Sequence, residues 1–472
     1  MSAKLLNLFF LLGASIAQAS SGIGLPDLIK DPLGSEPPVL LTGPVLPDQA
    51  GIICPSSADL NLPLSLNEVV DLGLCNNPQI KQAWAAIKIQ AGAVGESRAA
   101  YLPTANASLS PQQTQVNYPQ YSFANSITNG QIAFANLNWR LFDFGGRDAN
   151  RISANLLLQA ALASHDASIQ KAMASIIGNY FEALTAQATI KSKAQSEQFA
   201  QQALEATLRR EDKGVSAKSD TLQAQTALAK AQLASNRAQG DYHKALATLV
   251  FAMGLTTRSK LILQDPQVQT QKQAHKDLDE WLEAAQKEHP AIKAAKAKWD
   301  SSQEKITTAR SEGLPTIDFA GNFYKNGYPN QGLQPTKSNT TTIGFVITFP
   351  LFEGFSRTYK IRGAQAQAEQ AQAQMEEVEH QILTEIVKSY ADAMSSVGNL
   401  DASGKLLEAA NSAVQSSVKR YHVGAADILE LLTTQTALAE AQQEKIRCIS
   451  EWRSARLRLL ASAGLLGKAG MQ

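Results

Sequence analysis

The sequence predicts an α+β membrane protein with four β-strands and several very long helices in each chain, arranged as an internal duplication. Three observations carry this prediction. Residues 208–232 align with residues 418–442 at an offset of 210, so that Gly214 matches Gly424 and Gln-Thr-Ala-Leu-Ala recurs unchanged. Two helical runs of unusual length contain no proline. Two other segments change their hydrophobic period from 3.6 to 2, which is typical of strands.

The composition fits long helices that pack over small side chains. Aromatic residues make up 6% and charged residues 18% of the chain, and long tracts are rich in Ala, Gln, Ser and Leu. The formal net charge of +1 gives no reason to expect nucleic acid or an acidic ligand as a partner.

Residues 1–19 have the pattern of an export signal peptide. Lys4 is followed by an apolar run over residues 5–16 and by Ala17-Gln18-Ala19, which predicts cleavage before Ser20. No Cys stands at the cleavage point, so a lipid anchor is not expected. No later run of 18 or more apolar residues predicts a spanning helix. An exported chain of this kind is either soluble or a β-barrel.

A proline-rich arm is predicted over residues 20–64, since eight prolines lie between positions 25 and 63. Such a composition favours an extended segment over a packed unit. In an oxidising compartment Cys54 and Cys75 could pair and tie the arm to the first short helix, although spacing alone does not determine connectivity. Cys448 lies in a helical pattern and is interpreted as a small buried apolar residue.

Each half of the chain is predicted to begin with two helices. Residues 65–78 carry a capping residue, Glu68 three positions later and a terminating proline, and residues 277–290 repeat this layout at an offset of 212. A second helix follows in each half, over residues 79–100 and 291–312, and both lead to a Pro-Thr step.

A β-hairpin comes next in each half, at about residues 104–142 and 316–351. The alternation is clear in the second half, where Ile343, Phe345 and Ile347 alternate with polar or small residues, and weaker in the first. Loops rich in Pro, Gly, Asn and Tyr join the strands.

The long helices follow the hairpins, and each is predicted to turn back at a glycine. At about 1.5 Å per residue each long helix would measure close to 100 Å. Gly214 and Gly424 are interpreted as left-handed caps at tight helix turns. The long and return helices are predicted at 148–212 and 217–252 in the first half and at 358–422 and 427–461 in the second. The two repeats therefore extend over 65–276 and 277–466, with a tail at 467–472.

Four strands in one chain cannot close a barrel. In a membrane an open sheet edge leaves backbone amides unpaired, at a cost of several kcal/mol each. A dimer would give eight strands around a filled interior, whereas a trimer gives twelve strands and an open lumen. The residues alone leave both assemblies open. A homotrimeric 12-stranded β-barrel would be continued by a long α-helical barrel, and the two together would form a conduit.

The order of short helix, helix, hairpin, long helix, glycine turn and return helix, given twice, resembles the TolC-like outer-membrane efflux protein family over about residues 65–466. Its most specific marks are the Pro-Thr strand starts, the Leu-Phe-acid exits closed by Arg147 and Arg357, and the turns at Gly214 and Gly424. The resemblance implies a homotrimer in the bacterial outer membrane, in contact with its lipid and with a long periplasmic extension. It further implies a periplasmic adaptor and an inner-membrane ABC, RND or MFS transporter as partners, and passive conduction of exported protein or small molecules.

The resemblance also implies functional residues at the two glycine turns. In similar proteins, acids and a tyrosine on the inner helices hold the periplasmic mouth shut, and Asp220, Tyr421 and Glu430 occupy matching places. Gly214 and Gly424 would then mark the tips that dock on the adaptor.

The match at the second turn is incomplete. An arginine common in the family is Ala426 here, and a second acid is Thr433, so the family's salt bridge does not follow from the resemblance. Asp427 is a candidate for part of that role. An acid at a helix start is also favoured by capping and by the macrodipole, by about 0.3–1 kcal/mol, so a purely structural role stays open for all three acids.

Six aromatic residues near the hairpin exits allow two interpretations. They could form the belt where the membrane meets water, or they could pack in a core below the barrel. These residues are Tyr101, Trp139, Phe142, Phe144, Phe352 and Phe355.

No enzyme, cofactor or metal site is predicted, because the histidines lack H-E-x-x-H spacing and no phosphate-binding G-x-x-x-x-G-K-[ST] run occurs. Two alternative functions are a periplasmic adaptor and a structural coiled-coil protein without a membrane barrel. The duplicated hairpins disfavour the adaptor, and the scarcity of large apolar residues at heptad spacing disfavours the coiled coil.

Overall fold

The computed structural model of the chain describes residues 31–38, 46, 51–52, 54, 63–117, 119–120, 126–256, 261–265, 277–327 and 337–467. The predicted signal peptide, much of the arm and most of the predicted tail lie outside these residues. Among the described residues, no helix combines the length and the apolar composition needed to cross a membrane.

The helices and strands follow one order twice. The first half contains β1 (Pro63–Leu64), α1 (Leu66–Asn76), α2 (Pro78–Ala99), β2 (Thr104–Val116), β3 (Ser126–Phe142), α3 (Gly146–Asp212) and α4 (Lys218–Ala252). The second half contains β4 (Ile262–Leu263), α5 (Leu278–Glu288), α6 (Pro290–Ser311), β5 (Thr316–Asn326), β6 (Ser338–Thr348), α7 (Ser356–His422) and α8 (Ile428–Ser462).

Contacts divide the chain into two compact units. The sheet unit comprises residues 1–42, 87–159 and 297–371, and the helical unit comprises residues 43–86, 160–296 and 372–472. Both glycine turns belong to the helical unit.

The sheet unit contains one four-stranded antiparallel sheet with the strand order β2-β3-β5-β6. The predicted second hairpin extended to residue 351, but β6 ends at Thr348. Pro350 explains the earlier end, because proline has no N–H to donate to the ladder. The strands β2 and β6 lie at the two edges of this sheet.

The first helix begins as its sequence predicts. The Ser65 N–H donates to Glu68 Oε2 at 2.8 Å, and the Glu68 N–H donates to Ser65 Oγ at 3.4 Å, which completes a capping box. The hydrogen bond from the Ser65 backbone holds the pKa of the Glu68 carboxyl below its usual value.

Both return helices end in a glycine that packs against an X-Pro corner. Gly254 and Gly464 have φ of 70° and 73°, in the left-handed region that favours glycine. A Cβ would lie 2.6 Å from the Asn76 carbonyl oxygen at Gly254 and 2.8 Å from Pro290 Cδ at Gly464. Burial lowers the pKa of His289, beside Pro290, to about 4, so its ring stays neutral at this crowded corner.

The main core of the helical unit lies where α1, α3 and α4 meet. Met173, Ile176 and Ile177 of α3 pack there with Leu249 of α4 and with Met253, which follows that helix, all at most 1% exposed. Tyr180 is also fully buried, and its hydroxyl donates to Leu64 O at 3.3 Å and to Gln264 O. This hydroxyl joins the two short strands β1 and β4, which pair in parallel.

Small side chains recur at seven-residue spacing on α7 and α8. The Ser417 and Thr434 hydroxyl groups lie 2.6 Å apart across the two helices, and Ala410 and Ala441 share one buried cluster. The sequence analysis considered heptads of large apolar residues, whereas the structure has heptads of Ser, Ala and Cys. The buried positions are Ser389, Ser396, Ser403, Ala410 and Ser417 on α7 and Ala441, Cys448 and Ala455 on α8.

Some described residues of the predicted arm are packed against the folded chain, whereas others, including Pro32 and Gly51, are exposed. Cys54 and Cys75 form a disulfide with a Cα–Cα distance of 5.6 Å. Leu46 is 2% exposed and belongs to the main core. In the sheet unit, Arg98 Nη1 donates to the Leu33 carbonyl at 2.7 Å. A disulfide, a buried apolar side chain and a side-chain hydrogen bond therefore anchor these described positions of the arm.

Candidate functional site: the two helix tips

The two glycine turns have the same backbone hydrogen bonds. Gly214 and Gly424 have φ of 70° and 80°. The Val215 N–H donates to the Arg210 carbonyl at 2.9 Å, and the Ala425 N–H donates to the Arg420 carbonyl at 2.8 Å. This pattern satisfies carbonyl groups at the end of a long helix. We call residues 210–220 the first tip and residues 420–430 the second tip.

Asp220 in the first tip is held within its own turn. Its carboxylate accepts hydrogen bonds from Ser216 Oγ at 2.6 Å and from Ser219 Oγ at 3.4 Å. The N-cap of α4 is Ala217, which offers no side-chain hydrogen bond. The first tip thus fixes its acid with hydroxyl groups and leaves the start of the helix without a side-chain cap.

The two acids of the second tip have separate partners. Asp427 is the N-cap of α8 and accepts a hydrogen bond from the Glu430 N–H at 2.7 Å. The Glu430 carboxylate forms an ion pair with Arg420 Nη1 at 2.8 Å. Asp427 therefore serves as a helix cap in this structure, and the salt bridge of this tip is formed by Glu430 and Arg420.

Tyr421 connects the two tips through Arg210. Arg210 Nη1 donates to the Tyr421 carbonyl at 2.7 Å, and the guanidinium lies 4.8 Å from the centroid of the Tyr421 ring. The ring is 4% exposed and packs with Ala203, Ile428 and Leu431. Burial raises the pKa of the Tyr421 hydroxyl, and the nearby Arg210 charge opposes this increase. The contact combines a charged hydrogen bond with a cation–π interaction.

The Tyr421 hydroxyl is buried and has no hydrogen-bond partner among the described residues. The Asp220 carboxylate is bonded to serine hydroxyl groups instead. The structure thus gathers Asp220, Tyr421, Asp427 and Glu430 at the tips, but it does not join Asp220 to Tyr421 by a hydrogen bond.

The sequence analysis assigned no role in the tips to Arg210 or Arg420. Both stand four residues before a turn glycine, and they match each other at the offset of 210. That repetition was visible in the alignment. A search for cations as well as acids near both glycines would have found them.

An arginine fixes the exit of each hairpin. Arg147 Nη1 donates to the Arg140 carbonyl at 2.7 Å, and Arg147 Nε pairs with Asp143 at 3.0 Å. Its guanidinium also lies 4.8 Å from the Tyr101 ring centroid. In the second half Arg357 Nη1 donates to the Gly313 carbonyl at 2.7 Å, and a Cβ on Gly313 would collide with Arg357.

The exit aromatics lie on the surface of the chain. All six are between 36% and 75% exposed, so none of them packs in a core of this chain. Phe144 and Phe355 adopt left-handed backbone conformations, with φ of 54° and 63°, which costs about 1–2 kcal/mol for a residue other than glycine. Their exposure favours the membrane-belt interpretation over packing in a core of this chain.

No group of three or more His, Cys, Asp or Glu side chains within the described part of the chain is arranged to hold a metal ion.

Comparison with known proteins identifies the family. The sequence profile described as outer membrane efflux protein matches residues 69–255 and 281–465. Protein CyaE of Bordetella pertussis is 31% identical over 418 residues, which cover 88% of this chain and 87% of that protein. This chain belongs to the outer membrane efflux protein family. The predicted family and the predicted location in the bacterial outer membrane are thereby confirmed.

A more distant relative and two solved structures agree with this assignment. Outer membrane protein TolC of Escherichia coli K12 is 22% identical over 430 residues, covering 85% of this chain and 82% of that protein. The solved outer-membrane channel OprN superposes with a TM-score of 0.75 at 21% identity, covering 85% of this chain and 90% of that one. The Campylobacter jejuni CmeC channel gives 0.75 at 18% identity, covering 86% of each. The fold is that of these channels.

Proposed function

We propose that the chain forms a homotrimeric outer-membrane channel that passively conducts exported substrate from an inner-membrane transporter and its periplasmic adaptor to the exterior. The observation that carries the proposal is the sheet, which has one apolar face, one polar face and two open edges. The proposal assigns no catalytic step to the chain and requires no cofactor.

The apolar face of the sheet suits lipid. Trp139 lies opposite Phe319, which lies opposite Phe345, and the next row along the strands places Leu137, Gly321 and Ile343 side by side. Phe345 and Ile343 are 69% and 66% exposed. We call this face the lipid face. An outward apolar band of this kind is what a membrane barrel presents to hydrocarbon.

The opposite face of the sheet suits water. Asn136 pairs with Asn106 on one side and with Asn322 on the other, and Asn322 pairs with Thr342. Within the four described strands, the only charged side chains on this face are Arg140 and Asp318, which neutralise each other at 2.9 Å. We call it the lumen face. The face also carries the apolar Phe134 and Val346, but it is rich in amide and hydroxyl groups and has no unbalanced charge among the described strands. Such a wall suits passive conduction, because it holds no cargo by charge.

The open edges support a trimer. The strands β2 and β6 have no outer neighbour among the described strands. Leaving these edges bare in hydrocarbon would cost several kcal/mol per unpaired group. Three chains joined through β6 and β2 give a closed 12-stranded barrel with an open lumen. The order of elements, given twice, and the paired corners at Gly254 and Gly464 support an internal duplication with repeats at 65–276 and 277–466.

The tips then form the periplasmic end of a helical tunnel. Tyr421, Asp220 and Glu430 act at the gate, Asp427 orders the start of α8, and Gly214 and Gly424 shape the surface that docks on the adaptor. The partner transporter is of the ABC, RND or MFS type. Family relatives include the alkaline protease secretion protein AprF of Pseudomonas aeruginosa and the outer membrane efflux protein BepC of Brucella suis, both 22% identical. Their names support a proposal that covers exported protein and small molecules alike.

Reconstitution of the purified full-length protein tests the proposal. We expect a trimer that survives in detergent without heating and dissociates on boiling, and stepwise conductance when it is inserted in a planar bilayer. A folded protein that neither trimerises nor conducts would refute the channel and return the adaptor and the structural coiled coil as functions.

A further inference from the structure

A polar cavity lies at the end of the sheet where the strands meet their connecting loops. It has a volume of about 970 Å³ and is lined by the ends of all four strands, including Lys325, Lys337, Asn129, Gln131 and Asn339. Conduction through the proposed channel does not require this cavity.

The register puts Lys325 on the lipid face. Lys325 pairs with Ala133 on β3 and with Asn339 on β6, and it follows Phe323 by two residues. Since side chains two residues apart on a strand lie on the same face, Lys325 lies on the same face of β5 as Phe319 and Phe323. The register between β3 and β5 is unbroken from Arg140 outward, so no bulge reverses this face before Lys325.

The position of Lys325 matches one boundary of an apolar band. The exit aromatic Phe142 is paired with Ile317 at the helix end of the sheet. From Ile317 to Lys325 the strand advances by about 26 Å at roughly 3.3 Å per residue. The apolar band of an outer-membrane barrel is about 25 Å tall. Because barrel strands tilt by about 35–45°, the 26 Å along the strand covers only about 20 Å of that height. With the exit aromatics at one boundary of the band, Lys325 lies about 5 Å short of the other, a distance that an extended lysine side chain covers.

The lining is suited to an anion. Among the described residues that line the cavity, Lys325 and Lys337 are the charged ones, and none is an Asp or a Glu. Neither lysine forms an ion pair within the part of the chain that the structure describes. The neighbouring amide groups of Asn129, Gln131 and Asn339 add neutral donors.

We propose that this cavity binds the phosphate groups of lipid headgroups at the outer boundary of the membrane. The inference rests on the proposed channel, because it requires the lipid face to meet lipid. The apolar residues below the cavity contact acyl chains, and the two ammonium groups with the surrounding amides receive the phosphate. Lysines at a membrane boundary extend toward headgroups in this way, and basic pockets at that depth bind anionic ones.

Lipid binding by the purified full-length trimer tests this site. The probe is a diphosphorylated glucosamine lipid, compared with the same lipid after removal of one phosphate, and native mass spectrometry counts the bound molecules. We expect tighter binding of the diphosphorylated form. The variant Lys325→Gln with Lys337→Gln should weaken binding about 25-fold, or about fivefold for each lysine. Matched controls are Lys244→Gln with Lys287→Gln, which remove two exposed charges from α4 and α5.

Three outcomes would overturn the site. Equal binding by the lysine variant and the wild type would show that the lysines do not hold the lipid. Displacement of the lipid by millimolar inorganic phosphate would show a free phosphate site. A shift of ion selectivity toward cations in planar bilayers, without a change in lipid binding, would put the lysines in the lumen. Conductance of the same trimers separates these results from failure of the channel itself.

Discussion

The two tips have the same backbone conformation and differ in the hydrogen bonds and ion pairs that their side chains form. The second tip is closed on itself, because Asp427 caps α8 and Glu430 pairs with Arg420. The first tip has no side-chain cap at Ala217, and its Arg210 reaches across to Tyr421 of the second tip. The difference indicates that the second tip is ordered internally, whereas the first is fixed by its neighbour. Loss of the Arg210 contact would therefore free the first tip more than the second.

Replacement of Arg210 by Ala should have the largest effect. It removes the hydrogen bond to the Tyr421 carbonyl and the cation–π contact, and a hydrogen bond from a charged group contributes about 1.5–3 kcal/mol. We expect the closed state to lose population about tenfold or more, seen as a higher mean conductance in planar bilayers. Arg209→Ala is the control, since Arg209 makes only a long 3.9 Å ion pair with Glu205. Equal conductance in both variants would contradict the idea that the contact between Arg210 and Tyr421 holds the channel closed.

Two substitutions at Tyr421 separate the ring from its hydroxyl. Tyr421→Ala removes a buried ring from the cluster between the tips, and such truncations cost about 3–5 kcal/mol. Tyr421→Phe removes only a buried hydroxyl without a partner and should leave thermal stability unchanged or slightly higher. Thermal unfolding of the trimer measures both. A marked loss of stability in the Phe variant would mean that the hydroxyl finds a partner in the assembled trimer.

Changing the N-caps should make the tips more alike. Asp427→Ala should destabilise the second tip by about 0.5–2 kcal/mol, and Ala217→Asp should stabilise the first by about 1 kcal/mol. Hydrogen exchange at the first turns of α8 and α4 reports each change locally. If exchange is unaffected in both variants, the capping difference does not control the order of the tips.

Glu430→Gln should have the smallest structural effect and a specific functional one. The Asp427 cap uses the backbone N–H of residue 430, so it is retained. Three copies of Glu430 around one axis would attract cations at a narrow mouth, so the variant should reduce block by divalent cations in planar bilayers. The matched control is Glu444→Gln, farther along α8. Unchanged block would remove Glu430 from the mouth.

Much of the helical layout follows from the sequence. Proline-free runs and glycine turns put the long helices at 148–212 and 358–422, and the observed helices begin two residues earlier and end at the same positions. The second hairpin was clearer than the first because large β-formers alternate in it. In β2, Ala, Ser and Asn alternate, so the hydrophobic period is faint although the strand has 13 residues.

The contacts of the tips could not be derived in the same way. The spacing put Asp220 and Glu430 near the turns, but the Arg210 contact joins residues 211 positions apart. The seven-residue repeats of small buried side chains on α7 and α8 were not predicted either, for another reason. Heptads are usually sought as large apolar residues, whereas here Ser403, Ala410 and Ser417 bury small side chains at the same spacing.

The disulfide between Cys54 and Cys75 reports whether a chain has been exported. Cytosolic reductants keep cysteine thiols reduced, so this disulfide forms only after export. The disulfide joins cysteines 21 residues apart and so lowers the conformational entropy of the unfolded state, which raises the free energy of that state by roughly 3 kcal/mol. Alkylation of free thiols would therefore distinguish chains still in the cytoplasm, with three reactive cysteines, from exported chains in which only the buried Cys448 remains.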